Sequence, residues 1–308
     1  MNSKLFNVRI CSASAVVLVI LAAMSCGPIQ SPAGSGTNAD FTEGAQQIGD
    51  TMASVDESGG STGNYGLIEG ARRTFARLAP ATLTDRMFNE LIGIPSAEAA
   101  TCSTASTFSA CTGGVIVRNF GGCTIGAATF TGTATFTYSN AATCQIPAVN
   151  DFVTRVPAFT VTGLRNATLT VSKPGAVGQK ITRLTLAPAT FSFTNDGIER
   201  KFTVGSTTLF DFTTATASAI TISSSARSGR VISGGSLQVV NNLTGVTCTY
   251  VPAGVTWGAT CNCASAGSWT ATCTDGKTSS VNITGCGTAN FTLGTQTGSM
   301  TFDRCYGS

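Results

Sequence analysis

Cysteine is the residue whose number and spacing promise chemistry in this chain. Twelve occur in 308 residues. Cys11 and Cys26 stand near the start. The other ten form two groups, Cys102, Cys111, Cys123 and Cys144, then Cys248, Cys261, Cys263, Cys273, Cys286 and Cys305, with about a hundred cysteine-free residues between them. Thiolates can hold zinc, but structural zinc sites draw on CxxC-type pairs or histidine. This chain offers only Cys261-Asn262-Cys263, and it has no histidine. Disulfides fit better. Each group is even and can close on itself, and spacing does not choose among the three pairings open to four cysteines or the fifteen open to six.

The same lack of histidine removes Ser-His-Asp triads, Cys-His dyads and His-ligated metal. Paired carboxylates remain as a route to glycoside hydrolysis. Only six acids lie beyond Ala100, however: Asp151, Asp196, Glu199, Asp211, Asp275 and Asp303. Asp196 and Asp275 sit in turn sequences and Glu199 at an exposed hairpin position. Asp211, within "LFDFTT", reads as an outward-facing strand residue, with a partly buried functional carboxylate as the alternative. No Gly-rich loop precedes a helix as phosphate binding requires, so no cofactor is implied. The expectation is a protein that binds and does not catalyse. Trp257 and Trp269 are the candidate contact residues, expected on adjacent strands near the turns of residues 254–267, with packing in the core as their competing role.

Composition bounds the fold that must position these residues. Charged residues are 11% of the chain, against about 25% in an average globular protein. Thr, Ser, Ala and Gly take their place, but the apolar residues are patterned, which argues for a fold. Between residues 41 and 100 the acids Glu43, Asp50, Asp56, Glu57, Glu69, Asp85, Glu90 and Glu98 face Arg72, Arg73, Arg77 and Arg86. Beyond residue 100 bases outnumber acids, which marks a boundary near Ala100. The bases are scattered, as on a solvated surface, so nucleic acid is not an expected partner.

The N-terminus gives an address. Lys4 and Arg9 are the only charges in the first 39 residues, and an apolar run extends from about 13 to 24. That is shorter than the roughly 20 residues a membrane span needs, and it reads as a secretory signal. Its ending, Ala23-Met24-Ser25-Cys26, resembles the lipobox of bacterial lipoproteins, with Ala23 in place of the more usual leucine. The resemblance covers about the first 27 residues. It implies removal of residues 1–25, lipidation of the Cys26 thiol, and acylation of the new N-terminus. Gly27, where an aspartate would retain such a protein at the inner membrane in some bacteria, implies the outer membrane. Two or more acyl chains hold a protein firmly without any spanning helix. The lipid anchor in the membrane would be one partner, and an envelope protein or a surface glycan the other. Which face of the outer membrane carries the protein stays open.

Residues 26–40 then form a flexible tether. Phe41, Ala45, Ile48, Met52 and Val55 recur at steps of four and three, one face of an amphipathic helix. Further helices are expected at 67–79 and 84–92, and "IPSAEAA" at 94–100 reads as a linker. The helices of 41–100 are expected to dock on the following domain or on a partner. From residue 101 the period becomes two: in "ATFTGTATFTY" Ala128, Phe130, Ala134 and Phe136 alternate with threonines, as in a half-buried antiparallel strand. "FSFTNDGIERKFTV" and "CTDGKT" read as hairpins around Asn-Asp-Gly and Asp-Gly. Residues 101–308 are therefore expected to form a mainly all-β domain, an antiparallel sandwich or barrel-like sheet stapled by disulfides. The functional expectation is an anchored envelope lipoprotein with a structural or protein-docking role. The alternatives are a surface binding module or adhesin for glycan or a foreign surface and, further off, a glycoside hydrolase.

Overall fold

The computed structural model describes residues 38–58, 107–125, 128–163, 166–224 and 226–305. Cys26, its signal and tether, the helices expected at 67–79 and 84–92, and the linker at 94–100 lie outside them. The described residues fall within one compact unit. Within it the helix α1 (Asn38–Ser58) packs against the sheet with no boundary between them.

The sheet is antiparallel throughout and follows a simple up-and-down path. It begins with β1 (Thr107–Phe108), then β2 (Val115–Asn119) and β3 (Cys123–Ile125), which pair end to end along β4 (Ala128–Tyr138). Next comes β5 (Phe152–Thr162), whose free edge takes β6 (Ala167–Ser172) on one half and β7 (Gln179–Leu186) on the other. The same division repeats through β8 (Ala189–Asn195) with β9 (Ile198–Val204), β10 (Thr207–Ser218) with β11 (Ile220–Ser223), and β12 (Val231–Ile232) with β13 (Ser236–Asn241). Single strands complete it: β14 (Thr247–Trp257), β15 (Ala264–Cys273), β16 (Thr278–Gly285), β17 (Thr288–Leu293) and β18 (Gln296–Thr301). Among the described residues five rows hold two strands each, so the eighteen strands make thirteen rows.

The interruptions lie side by side. Residues 173–178, 196–197, 219 and 233–235 break four successive rows, and the register shifts between Ala253 and Thr256 where β14 meets β15. Extra residues of this kind bend a sheet and sharpen its twist. Gly235 shows how tightly the rows meet there. Its φ is +87°, and a Cβ would strike the Ala219 carbonyl across the break.

This line of breaks corrects the hairpin expected at Asn195-Asp196-Gly197. β8 pairs with β7 and β11, β9 pairs with β6 and β10, and the two strands continue in line. Side chains supply the bonds that a hairpin ladder would have made. The Asp196 carboxylate accepts from the Val177 and Gly178 amides, each at 2.6 Å, and ties this break to the neighbouring one. Asn195 accepts from the Gly197 amide and donates to the Thr214 carbonyl. The Asp275-Gly276 turn is a true hairpin, joining β15 to β16 with Thr272 opposite Thr278.

Threonines line much of the outer face. Thr129, Thr162, Thr168, Thr203 and Thr208 stand opposite one another across β4, β5, β6, β9 and β10. Phe130, Val161, Leu169, Phe202 and Phe210 turn the other way, into the core. Among the described residues no helix is long and apolar enough to cross a membrane.

Candidate functional site

The most concentrated polar chemistry lies under α1. The expected apolar face is present, since Ala45, Ile48, Met52 and Val55 are all buried. The opposite face is buried as well: Gln46, Gln47, Thr51 and Ser54 are no more exposed than the apolar ones. A helix sunk on every side must satisfy its polar side chains inside the protein, and the sheet provides the partners. Arg155 on β5 and Arg200 on β9 point inward, in phase with Val153 and Phe202 respectively, and both are buried. Arg304, just beyond β18, completes the set.

Asp50 is the centre of this cluster. Its Oδ2 accepts from Arg200 Nη1 at 2.5 Å, and its Oδ1 lies 3.9 Å from Arg304 Nε. Asp303 stands 4.0 Å from the other side of the Arg200 guanidinium. Arg155 donates to Gln179 Oε1 at 2.8 Å and, at 3.4 Å, to Ser54 Oγ. Thr214 donates to Gln47 Oε1 at 3.3 Å. Buried charges need this degree of pairing, because an ion moved from water without a partner costs several kcal/mol.

Asp50, Ser54, Arg155, Gln179, Arg200 and Arg304 line a cavity of about 40 Å³. Sites for small molecules measure roughly 300 Å³ or more, so this space suits a water molecule or two. It holds no nucleophile beside a base, and its one carboxylate, Asp50, is engaged by the Arg200 guanidinium. The arrangement fastens a helix to a sheet.

Among the described residues four disulfides are present: Cys111–Cys144, Cys248–Cys273, Cys261–Cys286 and Cys263–Cys305. Each joins cysteines of one sequence group. Cys102 and the side chain of Cys123 lie outside the described residues. Among the described residues no three metal-ligating side chains gather in one place.

The two tryptophans stand on the adjacent strands β14 and β15, but they are not contact residues. Trp257 is 4% exposed and Trp269 is 0% exposed. Period-two alternation sends both rings to the inner face, where Trp257 lies under the Arg230 guanidinium, 5.7 Å away. The expectation that they form a binding surface is corrected: a ring with no accessible face cannot hold an external partner. Asp211 needs a related correction. Its neighbours Phe210 and Phe212 turn inward, so it is on the outer side as expected, yet it is only 6% exposed. Lys201 Nζ at 3.1 Å and Asn242 Nδ2 at 2.6 Å cover its carboxylate.

The expectation that the scattered bases form a solvated surface is corrected at Arg155 and Arg200, which are buried, and sequence reasoning passed over Gln46 and Gly49. A signal for the arginines was present, because each occupies the same parity as inward apolar residues on its own strand. Comparison of the chain with family models, curated proteins and solved structures found no match.

Proposed function

We propose that this is a lipid-anchored protein of the bacterial envelope, held at the outer membrane through Cys26, with a docking role and no catalytic one. The observation that carries the reading is the Ala23-Met24-Ser25-Cys26 ending, followed by a short tether and then a helix sunk into a folded domain. Residues 27–37 separate Cys26 from α1. Eleven extended residues reach about 37 Å at ~3.4 Å each, so a lipid on Cys26 keeps the domain close to the membrane. The non-catalytic part of the reading is supported by four of the described carboxylates. Asp50 and Asp303 face Arg200, Asp211 faces Lys201, and Asp196 caps backbone amides.

Replacing Cys26 with serine tests the anchor. The variant is expected to leave the membrane fraction, or to accumulate as an uncut precursor. Membrane association with an unchanged mature mass would overturn the reading.

A second reading, a surface module for glycan, is favoured by the threonine row on the outer face. Hydroxyl and methyl groups repeat there at the strand spacing of about 4.8 Å. Protease shaving of intact cells separates the two readings. Cleavage in intact cells supports the surface module, and protection supports a periplasm-facing docking role.

A further inference from the structure

The last described residues of the chain cross α1. β18 ends at Thr301, and Phe302, Asp303, Arg304 and Cys305 are all buried. Gln46 treats this segment as a neighbouring strand. It donates to the Thr301 carbonyl at 2.7 Å and accepts from the Asp303 amide at 2.8 Å. Arg304 donates to the Asp50 carbonyl and to Ser54 Oγ, each at 3.2 Å. Cys305 is bonded to Cys263, which immediately precedes β15, and the two sulfurs lie 3.6 and 3.7 Å from the Gly49 carbonyl oxygen.

Gly49 is the notch that admits this contact. A Cβ at that position would fall 2.6 Å from the Phe302 ring. Glycine in a helix interior costs about 1 kcal/mol relative to alanine, and here the cost is offset by the close passage of Phe302 and the disulfide.

We propose that residues 302–305 are a strap, and that the Cys263–Cys305 disulfide latches it over α1, adding to the hold of the arginine cluster, so that the helix is fully seated in the sheet only while this disulfide is closed. Closing the latch converts two thiols to one disulfide. Two electrons and two protons pass to a disulfide oxidant, which leaves as a dithiol, and a dithiol reductant runs the exchange backwards. Both sulfurs are buried against the helix, so exchange requires the strap to lift locally first. The latch therefore couples thiol–disulfide state to the seating of α1. This inference goes beyond the anchoring role and stands without it.

The test uses the full chain with Cys263 and Cys305 both changed to serine, beside a control with Cys111 and Cys144 both changed. Hydrogen exchange is followed at the amides of residues 44–55. The first variant is expected to exchange there at least about ten-fold faster, with β5, β9 and β10 still protected. The control is expected to match the wild type in α1. Unchanged protection of α1 in the first variant would overturn the latch, and so would equal loss across helix and sheet. Should the first variant not fold, Gly49→Ala decides. Free thiols at Cys263 and Cys305, with the other three described disulfides formed, support the latch. Complete oxidation with native protection of α1 refutes it.

Discussion

Arg155 and Arg304 donate to the same oxygen, Ser54 Oγ, at 3.4 and 3.2 Å. Arg155 lies on β5 and Arg304 just past β18, nine rows further along the sheet. In a flat sheet those rows would stand about 43 Å apart, at ~4.8 Å each. An α-helix is only about 10–12 Å across. One hydroxyl can serve both arginines only because the sheet curls around α1, and the line of interruptions across its middle rows lets it bend.

Ser54→Ala should therefore destabilise the whole fold, although it removes a single oxygen from a helix. The hydroxyl also donates to the Asp50 carbonyl at 2.8 Å, and its loss withdraws an acceptor from two buried guanidinium groups. A loss of about 1–3 kcal/mol is expected, read from the denaturant midpoint at constant slope. Asp50→Asn should cost more, about 3–5 kcal/mol, because it uncouples the buried Arg200 charge. If both variants unfold at the wild-type midpoint, the cluster does not hold the helix.

Trp269→Ala should behave as a core truncation. The side chain is fully buried between β14 and β16, opposite Pro252 and Val281. The expected loss is about 3–5 kcal/mol, a large share of the total stability of a typical domain. A variant that kept wild-type thermal stability yet lost capture of an envelope partner would return Trp269 to the binding surface.

Alkaline stability should depend on Tyr250. Burial raises its pKa above the ordinary value, and the hydrogen bond with Ser279 at 3.3 Å opposes the rise. The unfolded chain then loses its tyrosine proton at about pH 10, while the folded chain still holds it. Stability is full below that pH and falls as pH climbs through it. Burial also raises the Tyr138 pKa, so some alkaline loss remains in any Tyr250 variant. Tyr250→Phe should flatten the loss measured by denaturant midpoints across this range. Superimposable alkaline profiles for variant and wild type would contradict the assignment.

Legibility followed the range of the interactions. β4 was readable residue for residue, because one face of Ala128–Tyr138 meets the core and the other faces outward, so alternation records burial directly. The hairpin at Asp275-Gly276 was readable because turn chemistry is local. Asn195-Asp196-Gly197 carries the same local signal and means something else. Its residues bond to Val177, Gly178 and Thr214 on neighbouring rows, and no local rule contains those partners.

The sequence by itself determined the antiparallel β character, the inner and outer faces of most strands, and the apolar stripe of α1, because each follows from backbone periodicity. Tertiary structure alone decided that one curled sheet forms, that Gln46, Gln47, Thr51 and Ser54 are buried with the apolar residues, and that Trp257 and Trp269 face the core. It also decided which cysteines of each group pair in the four described disulfides. The physical reason is common to all of these. Each depends on which distant rows meet around α1, and the free energy of that meeting comes from partners such as Arg155, Arg200 and Arg304, which lie 101, 150 and 254 residues from the helix residues Ser54, Asp50 and Asp50 that they bond.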